Sequence, residues 1–259
     1  MRAQRYLFLS DIHLCKAAWY GISSEERLRR MAEQLRARTA EVRFDEMFLL
    51  GDLSLDFWAY EDGGTYLHTP PVSNTGRYLR EFAPELPMKP HLLPGNHEQY
   101  GEELWNKLTG YSRSYTFAPE DEDAPVFVML DTFGGDLDPA ENSDGTFTPC
   151  DCVRVRAALD AYPGRTVILC AHWFSPEQES AEFRALVSGE PRIAVLLMGH
   201  THRSAVLERS FGEKAILQCG NFSYSSENPP ETSFWGWREL EISETGTISS
   251  CYYVPAQTT

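Results

Sequence analysis

Five short polar clusters carry the residues that could do chemistry: Asp11-Ile12-His13, Gly51-Asp52, Gly95-Asn96-His97-Glu98, His172 and Gly199-His200-Thr201-His202. Each follows an apolar run, and together they hold five of the seven histidines. Carboxylate oxygen, imidazole nitrogen and amide oxygen are the ligand types that suit divalent first-row metals, so the expected chemistry is metal binding. In Asp11-x-His13 and His200-x-His202, the i, i+2 separation sends both side chains to the same side of a short extended segment. One turn can then supply two ligands. The glycines at 51, 95 and 199 permit close approaches that a side chain would block.

Taken singly, each cluster has a plainer reading. Asp-x-His recurs by chance, Gly-Asp is a common turn, Asn96 is a natural helix cap, and a histidine after Val-Ile-Leu-Cys-Ala is an ordinary core histidine. It is the order and joint placement of all five that argues for one site. Residues just beyond the strand ends of an open α/β sheet converge on a single crevice.

The elements that must position these clusters show in the hydrophobic pattern. Strand-like runs at residues 6–9, 47–50, 91–93, 126–130, 166–171 and 193–198 alternate with helical patterns near 102–108, 152–162 and 177–187. Ser23 and Glu26 form a capping box for a further helix, with Leu28, Met31, Ala32 and Leu35 on one face. Beyond about residue 203, runs at 205–207, 215–217, 237–242 and 248–254 read as antiparallel strands. The expected fold class is α/β, a two-sheet sandwich flanked by helices, in a single domain spanning 1–259 with neither internal repeats nor a low-complexity linker.

Composition narrows the partners. At 42% hydrophobic and 24% charged, the chain matches soluble globular usage, and no apolar run approaches the roughly 18 residues of a membrane span. The first five residues lead straight into the first apolar run without a signal-peptide pattern, so a cytoplasmic location is expected. A formal net charge of −15 repels polyanions at long range and disfavours nucleic-acid polymers as substrates. Glu120-Asp121-Glu122-Asp123 reads as a solvated loop. The six cysteines are scattered, with no disulfide framework or zinc-finger spacing, and Cys150 and Cys152 read as loop thiols.

In order and spacing, the five clusters resemble the motifs of the calcineurin-like metallophosphoesterase superfamily: Asp-x-His, Gly-Asp, Gly-Asn-His-(Asp/Glu), a lone His and Gly-His-x-His. The match runs from residue 11 to residue 202. The resemblance implies a four-layer α/β/β/α sandwich of two mixed sheets and a site for two divalent ions, drawn from Mn, Fe, Zn and Mg. It implies that Asp11, His13, Asp52 and His202 hold one metal and Asp52, Asn96, His172 and His200 the other, with Asp52 bridging. It also implies that His97 is a catalytic histidine outside the ligand set. Four positive charges against only Asp11 and Asp52 would leave the site electropositive, generating a bridging hydroxide and attracting phosphoryl oxygens.

Departures from relatives narrow the subtype. The protein serine/threonine phosphatase branch has Gly-Asp-x-x-Asp-Arg-Gly, whereas Asp52 is followed by Leu53-Ser54-Leu55-Asp56 with no phosphate-holding arginine. Leu55 also stands where purple acid phosphatases have the iron-binding tyrosine, and where many phosphodiesterase-like members have an acid that orients the catalytic histidine. Asp56 falls one residue late and could serve only through a bulged turn. Two long loops, 57–77 and 131–149, are expected to shape the substrate pocket, the first as a lid bearing Trp58, Tyr60, Tyr66 and His68. His68 and His91 read as a loop and a strand-entry histidine. Phe222, Tyr224, Trp235 and Trp237 read as core and edge aromatics of the second sheet.

The expected activity is hydrolysis of a small-molecule phosphoester, with diesters slightly favoured. The alternatives are a nuclease on the same metal core and an interaction module that kept the fold without the chemistry.

Overall fold

The structure is a computed structural model that describes residues 2–57, 73–139, 141–224 and 235–255. In chain order its elements are β1 (Gln4–Leu9), β2 (Ala18–Trp19), β3 (Ile22–Ser23), α1 (Ser24–Glu41), β4 (Glu46–Leu50), α2 (Asn74–Arg77), β5 (His91–Leu93), α3 (Glu102–Thr109) and β6 (Tyr115–Phe117). There follow β7 (Val126–Leu130), α4 (Cys152–Ala161), β8 (Val167–Ala171), α5 (Ala181–Gly189), β9 (Ile193–Met198), β10 (Val206–Phe211), β11 (Lys214–Gln218), β12 (Trp237–Ile242) and β13 (Ile248–Tyr253).

One sheet runs β13-β12-β1-β4-β5 and the other β10-β11-β9-β8-β7-β6. Both are mixed: β1, β4 and β5 are parallel, with antiparallel β12 and β13 beyond β1, and β7, β8, β9 and β11 are parallel, with antiparallel β6 and β10 at the two edges. Strands of parallel sheets are buried on both faces, which is why 126–130 and 167–171 are continuous apolar runs, every residue buried. Tyr6, Phe8, Phe48 and Leu93 pack against Phe127, Ile168, Cys170 and Leu197 between the sheets. The outer face of the first sheet packs Leu7 and Leu49 on Leu28, Met31 and Leu35 of α1. The outer face of the second packs Val128 and Leu169 on Val155 of α4 and Phe183 of α5. The result is the expected α/β/β/α layering.

Local chemistry sets the helix starts. Ser23 caps α1 by accepting from the Glu26 backbone N–H, but the Glu26 carboxylate pairs with Arg30. The expected helix at 177–187 begins only at Ala181, because Ser180 is its cap and Glu179 is drawn away to accept from Cys150. The four strands after residue 203 do not make one antiparallel group. β11 pairs parallel with β9, while β12 and β13 extend the β1 sheet. Trp58, Tyr60, Tyr66 and His68 of the expected lid lie outside the described residues. Its far end, from Ser73, forms the cap and body of α2.

Candidate metal centre

Strands β1, β4, β5, β8 and β9 end at Leu9, Leu50, Leu93, Ala171 and Met198, and the five polar clusters emerge immediately after them. All seven expected ligands and His97 meet there. His13 Nε2 lies 2.9 Å from Asp52 Oδ2, and His202 Nε2 lies 3.2 Å from Asp11 Oδ1. On the other side of Asp52, the His172 Nε2 is 3.3 Å from the same Oδ2 and 2.9 Å from Asn96 Oδ1, with His200 Nδ1 3.0 Å from that oxygen. Asp52 therefore stands between two groups of donors. Its other oxygen accepts from the His97 backbone N–H, and His97 Nε2 is 3.9 Å from Oδ2.

The donor set fits a cation. The Nδ1–H of His172 points at the Leu50 carbonyl at 2.6 Å and that of His202 at the Tyr224 carbonyl at 2.6 Å. With Nδ1 so engaged, Nε2 is the nitrogen aimed inward on each ring, the usual arrangement of an imidazole that ligates on losing its proton. Unless that nitrogen is protonated, His202 Nε2 and the fully buried Asp11 Oδ1, which has no other hydrogen-bond donor, confront one another as two acceptors. Two such lone pairs repel unless a proton or a cation lies between them. Groupings with metal-binding spacing are Asp11 with His13 and His202, Asp11 with Asp52 and His172, and His13 with Asp52 and His97. His97, expected outside the ligand set, is within reach of one of them.

In the metal-free protein, titration reflects this crowding. Burial lowers His13 and His200, each to about 4. Burial acts the same way on His172, but the charge of Asp52 outweighs it and holds that imidazole up at about 9. Asp52 is held well below the usual carboxylate range because His172 and His97 overcome the opposing effect of burial.

The backbone under these side chains is strained. Asp11, His13, Asp52, His200 and His202 all have φ between 45° and 65°, a conformation L-residues adopt at a cost of roughly 1–2 kcal/mol. Among the described residues only Tyr20 and Arg209 are other non-glycine cases, so the strain is concentrated here. Gly51, at φ 90°, precedes Asp52, and a Cβ there would lie 2.5 Å from His172 Nδ1 and 2.7 Å from the Gly95 backbone.

Two residues without an expected role hold the loops in place. Glu98, fully buried, accepts from the backbone N–H groups of Asp52, Ser54 and Gly95 at 2.8 to 3.0 Å. Burial, then the charge of Asp52, pushes its carboxyl up to about 8, against which these donors favour the ionised form. Arg27, fully buried on α1, donates to the Ile12, His13 and Phe222 carbonyls, with Trp19 4.7 Å from its guanidinium carbon. Glu98 sits inside a motif that could have drawn attention to it. Nothing in the sequence near Arg27 marks it.

Asp56 does not approach His97: it accepts from Asn74 N, Thr75 N and Tyr100 Oη, anchoring the start of α2. His91 pairs with Glu46 at 3.0 Å and stacks on Phe48, as a strand-entry histidine would. Phe222, Trp235 and Trp237 are buried core aromatics. Tyr224 is not: its ring lies 4.6 Å from His202 and 5.6 Å from His13, beside the centre. Part of the expected loop 131–149 lines a cavity at the centre. Phe133, Asp144, Gly145 and Phe147 wall a cavity of about 510 Å³ whose floor includes Asp52, Asn96 and His97.

Residues 4–204 match the model of the calcineurin-like phosphoesterases, and the chain belongs to that family. The family comprises metal-dependent hydrolases of phosphoester bonds, which accords with the cluster of donors. No curated protein sequence matches the chain. Among solved structures, the chain is similar to a candidate 5′-nucleotidase from Staphylococcus aureus (TM-score 0.59, 14% identity, 99% of this chain and 55% of that one). It is similar too to purple acid phosphatase PPD1 from yellow lupin seeds (TM-score 0.59, 12% identity, 97% and 51%). A third is the sulfate thiohydrolase SoxB from Thermus thermophilus (TM-score 0.52, 12% identity, 98% and 57%). The chain spans about half the length of these proteins, and at such identities the likeness is one of fold. Among the described residues, no helix is long and apolar enough to cross a membrane.

Proposed function

We propose that the chain, as one domain, hydrolyses a small-molecule phosphoester, with diesters favoured, using two divalent cations held by Asp11, His13, Asp52, Asn96, His172, His200 and His202. The observation that carries this reading is the position of Asp52, whose Oδ2 lies 2.9 Å from His13 Nε2 and 3.3 Å from His172 Nε2. A carboxylate so placed can serve donors on both sides. Two cations there would supply a nucleophile at neutral pH and neutralise charge on the phosphoryl oxygens.

The protein's own contribution is orientation and proton handling. Leu50 and Tyr224 carbonyls fix the tautomers of His172 and His202, and Glu98 fixes the turn that carries Asp52. His97 is buried yet lines the cavity, so it is placed to donate a proton to, or stabilise charge on, a departing ester oxygen. Burial of the floor raises the strength of each of these electrostatic contacts.

The test is a panel of phosphomonoesters and phosphodiesters assayed with manganese, zinc, iron and magnesium in turn. Metal-dependent turnover, with diesters ahead, is expected. A metal-loaded chain inert towards the whole panel would refute the reading.

A further inference from the structure

The cavity above the candidate centre has two properties that the metal chemistry does not require. The first is its charge. None of its lining residues among the described residues is Lys or Arg, and Asp144 contributes a carboxylate at its mouth. The stretches 58–72 and 225–234 contain neither Lys nor Arg in their sequence, so no side-chain ammonium or guanidinium could come from them. A phosphomonoester carries a charge of about −1.5 to −2 at pH 7 and a diester only one negative charge. Cations on the floor would attract either ester, but the rest of the lining offers no lysine or arginine to a second negative charge, and Asp144 repels it.

The second property is an aromatic wall on the Asn96–His200 side. Trp173, next to His172, has its ring 4.7 Å from that of His200 at 32°. Phe147 meets Trp173 edge-on at 5.1 Å and 72°. Both rings are half-buried and both line the cavity, so each retains exposed area. The turn that presents Phe147 is held firmly. Asn142 Nδ2 donates to the Gly145 carbonyl at 2.7 Å, and Gln99 donates to the Asn142 carbonyl at 2.8 Å. Gly145, at φ 68°, lies so close to Asn96 that a Cβ would come within 2.9 Å of the Asn96 carbonyl. A rigid, half-exposed pair of aromatic rings beside a phosphate site is suited to stacking on a planar ring.

We propose that this cavity selects phosphodiesters that carry a single negative charge and a planar aromatic ring on one ester arm, the ring lying against Trp173 and Phe147. The proposal rests on the phosphoesterase reading above and names its substrate class.

The test uses the manganese-loaded protein and three matched probes. Adenosine 5′-methyl phosphate has the ring and one charge. Ribose 5′-methyl phosphate has the same diester without the ring, and adenosine 5′-phosphate has the ring with the extra charge. The expected kcat/KM of the first exceeds that of the second by about 5- to 100-fold, the range for one stacked base. It exceeds the third by up to about fivefold, because Asp144 is exposed and acts on the extra charge through water. Phe147→Ala should move the first ratio towards one, and Asp144→Lys the second, each with metal content unchanged. Equal rates with and without the ring, or a monoester hydrolysed as fast as the diester, would overturn the proposal. So would inertness towards these three probes in a protein that turns over other phosphoesters. Inertness towards every phosphoester would instead refute the phosphoesterase reading and the proposal with it.

Discussion

At the cavity floor, Asp11, His13, Asp52, His200 and His202 hold left-handed backbone and are buried or half-buried, whereas the wall at residues 142–147 has mostly exposed side chains and left-handed backbone only at Gly145. The floor persists because its surroundings over-determine it: Glu98 ties three backbone N–H groups, Arg27 gathers three carbonyls, and backbone oxygens orient two imidazoles. The wall is held by a few hydrogen bonds, most within one turn and one from Gln99. This contrast teaches a division of labour. The floor's geometry is set by many mutually dependent contacts and should carry the chemistry, while the wall can change without disturbing it and should carry substrate choice.

The sharpest way to break that division is at the floor's centre. Asp52→Asn should remove the carboxylate shared by the two donor groups, lowering kcat/KM by about 10³-fold, at the upper end of what one preorganised electrostatic group contributes. Metal analysis and kinetics on one preparation check this, and full activity with two ions retained would deny the bridge. A smaller loss is expected from Glu98→Ala, which touches no donor atom of the centre but leaves three buried N–H groups without their acceptor. Each such group costs about 1–3 kcal/mol, so thermal stability should fall together with metal affinity, the latter by about 10- to 100-fold. Thermal unfolding and metal titration of the variant would show whether the two losses go together. The smallest effect is expected at the wall. Gly145→Ala forces a side chain into left-handed backbone against Asn96, a strain of roughly 1–2 kcal/mol, or about 5- to 30-fold if expressed wholly in KM. Metal content should stay unchanged, and a loss of ions would mean that wall and floor are one unit.

The same contrast explains what could be read from the sequence. That the clusters holding Asp11, His13, Asp52, Asn96, His172, His200 and His202 would meet was legible because each directly follows an apolar run, and the family resemblance singled out these seven within them. The layering followed from the alternation of strand-like runs with helical patterns and, for its four layers, from the family resemblance. Other features depend on partners distant in the chain. Asp56 answers to Asn74 and Thr75, 18 and 19 residues on, so no local offset reveals that it anchors α2 rather than serving His97. Tyr224 lies beside His13 across more than 200 residues, and its aromatic neighbours in sequence are core residues, which made it resemble them. The parallel pairing of β11 with β9 was hidden because a short apolar run looks the same in either direction. Trp173 and Phe147 carry no local pattern at all, since a wall is defined only by what it faces.

The most direct test of the account is activity against bound metal. Protein stripped of metal should be titrated with manganese while turnover of a phosphodiester and the number of ions per chain are followed together. The floor as described predicts that activity rises until two ions are bound and then levels off. A plateau at one ion per chain, or turnover that does not depend on added metal, would contradict it.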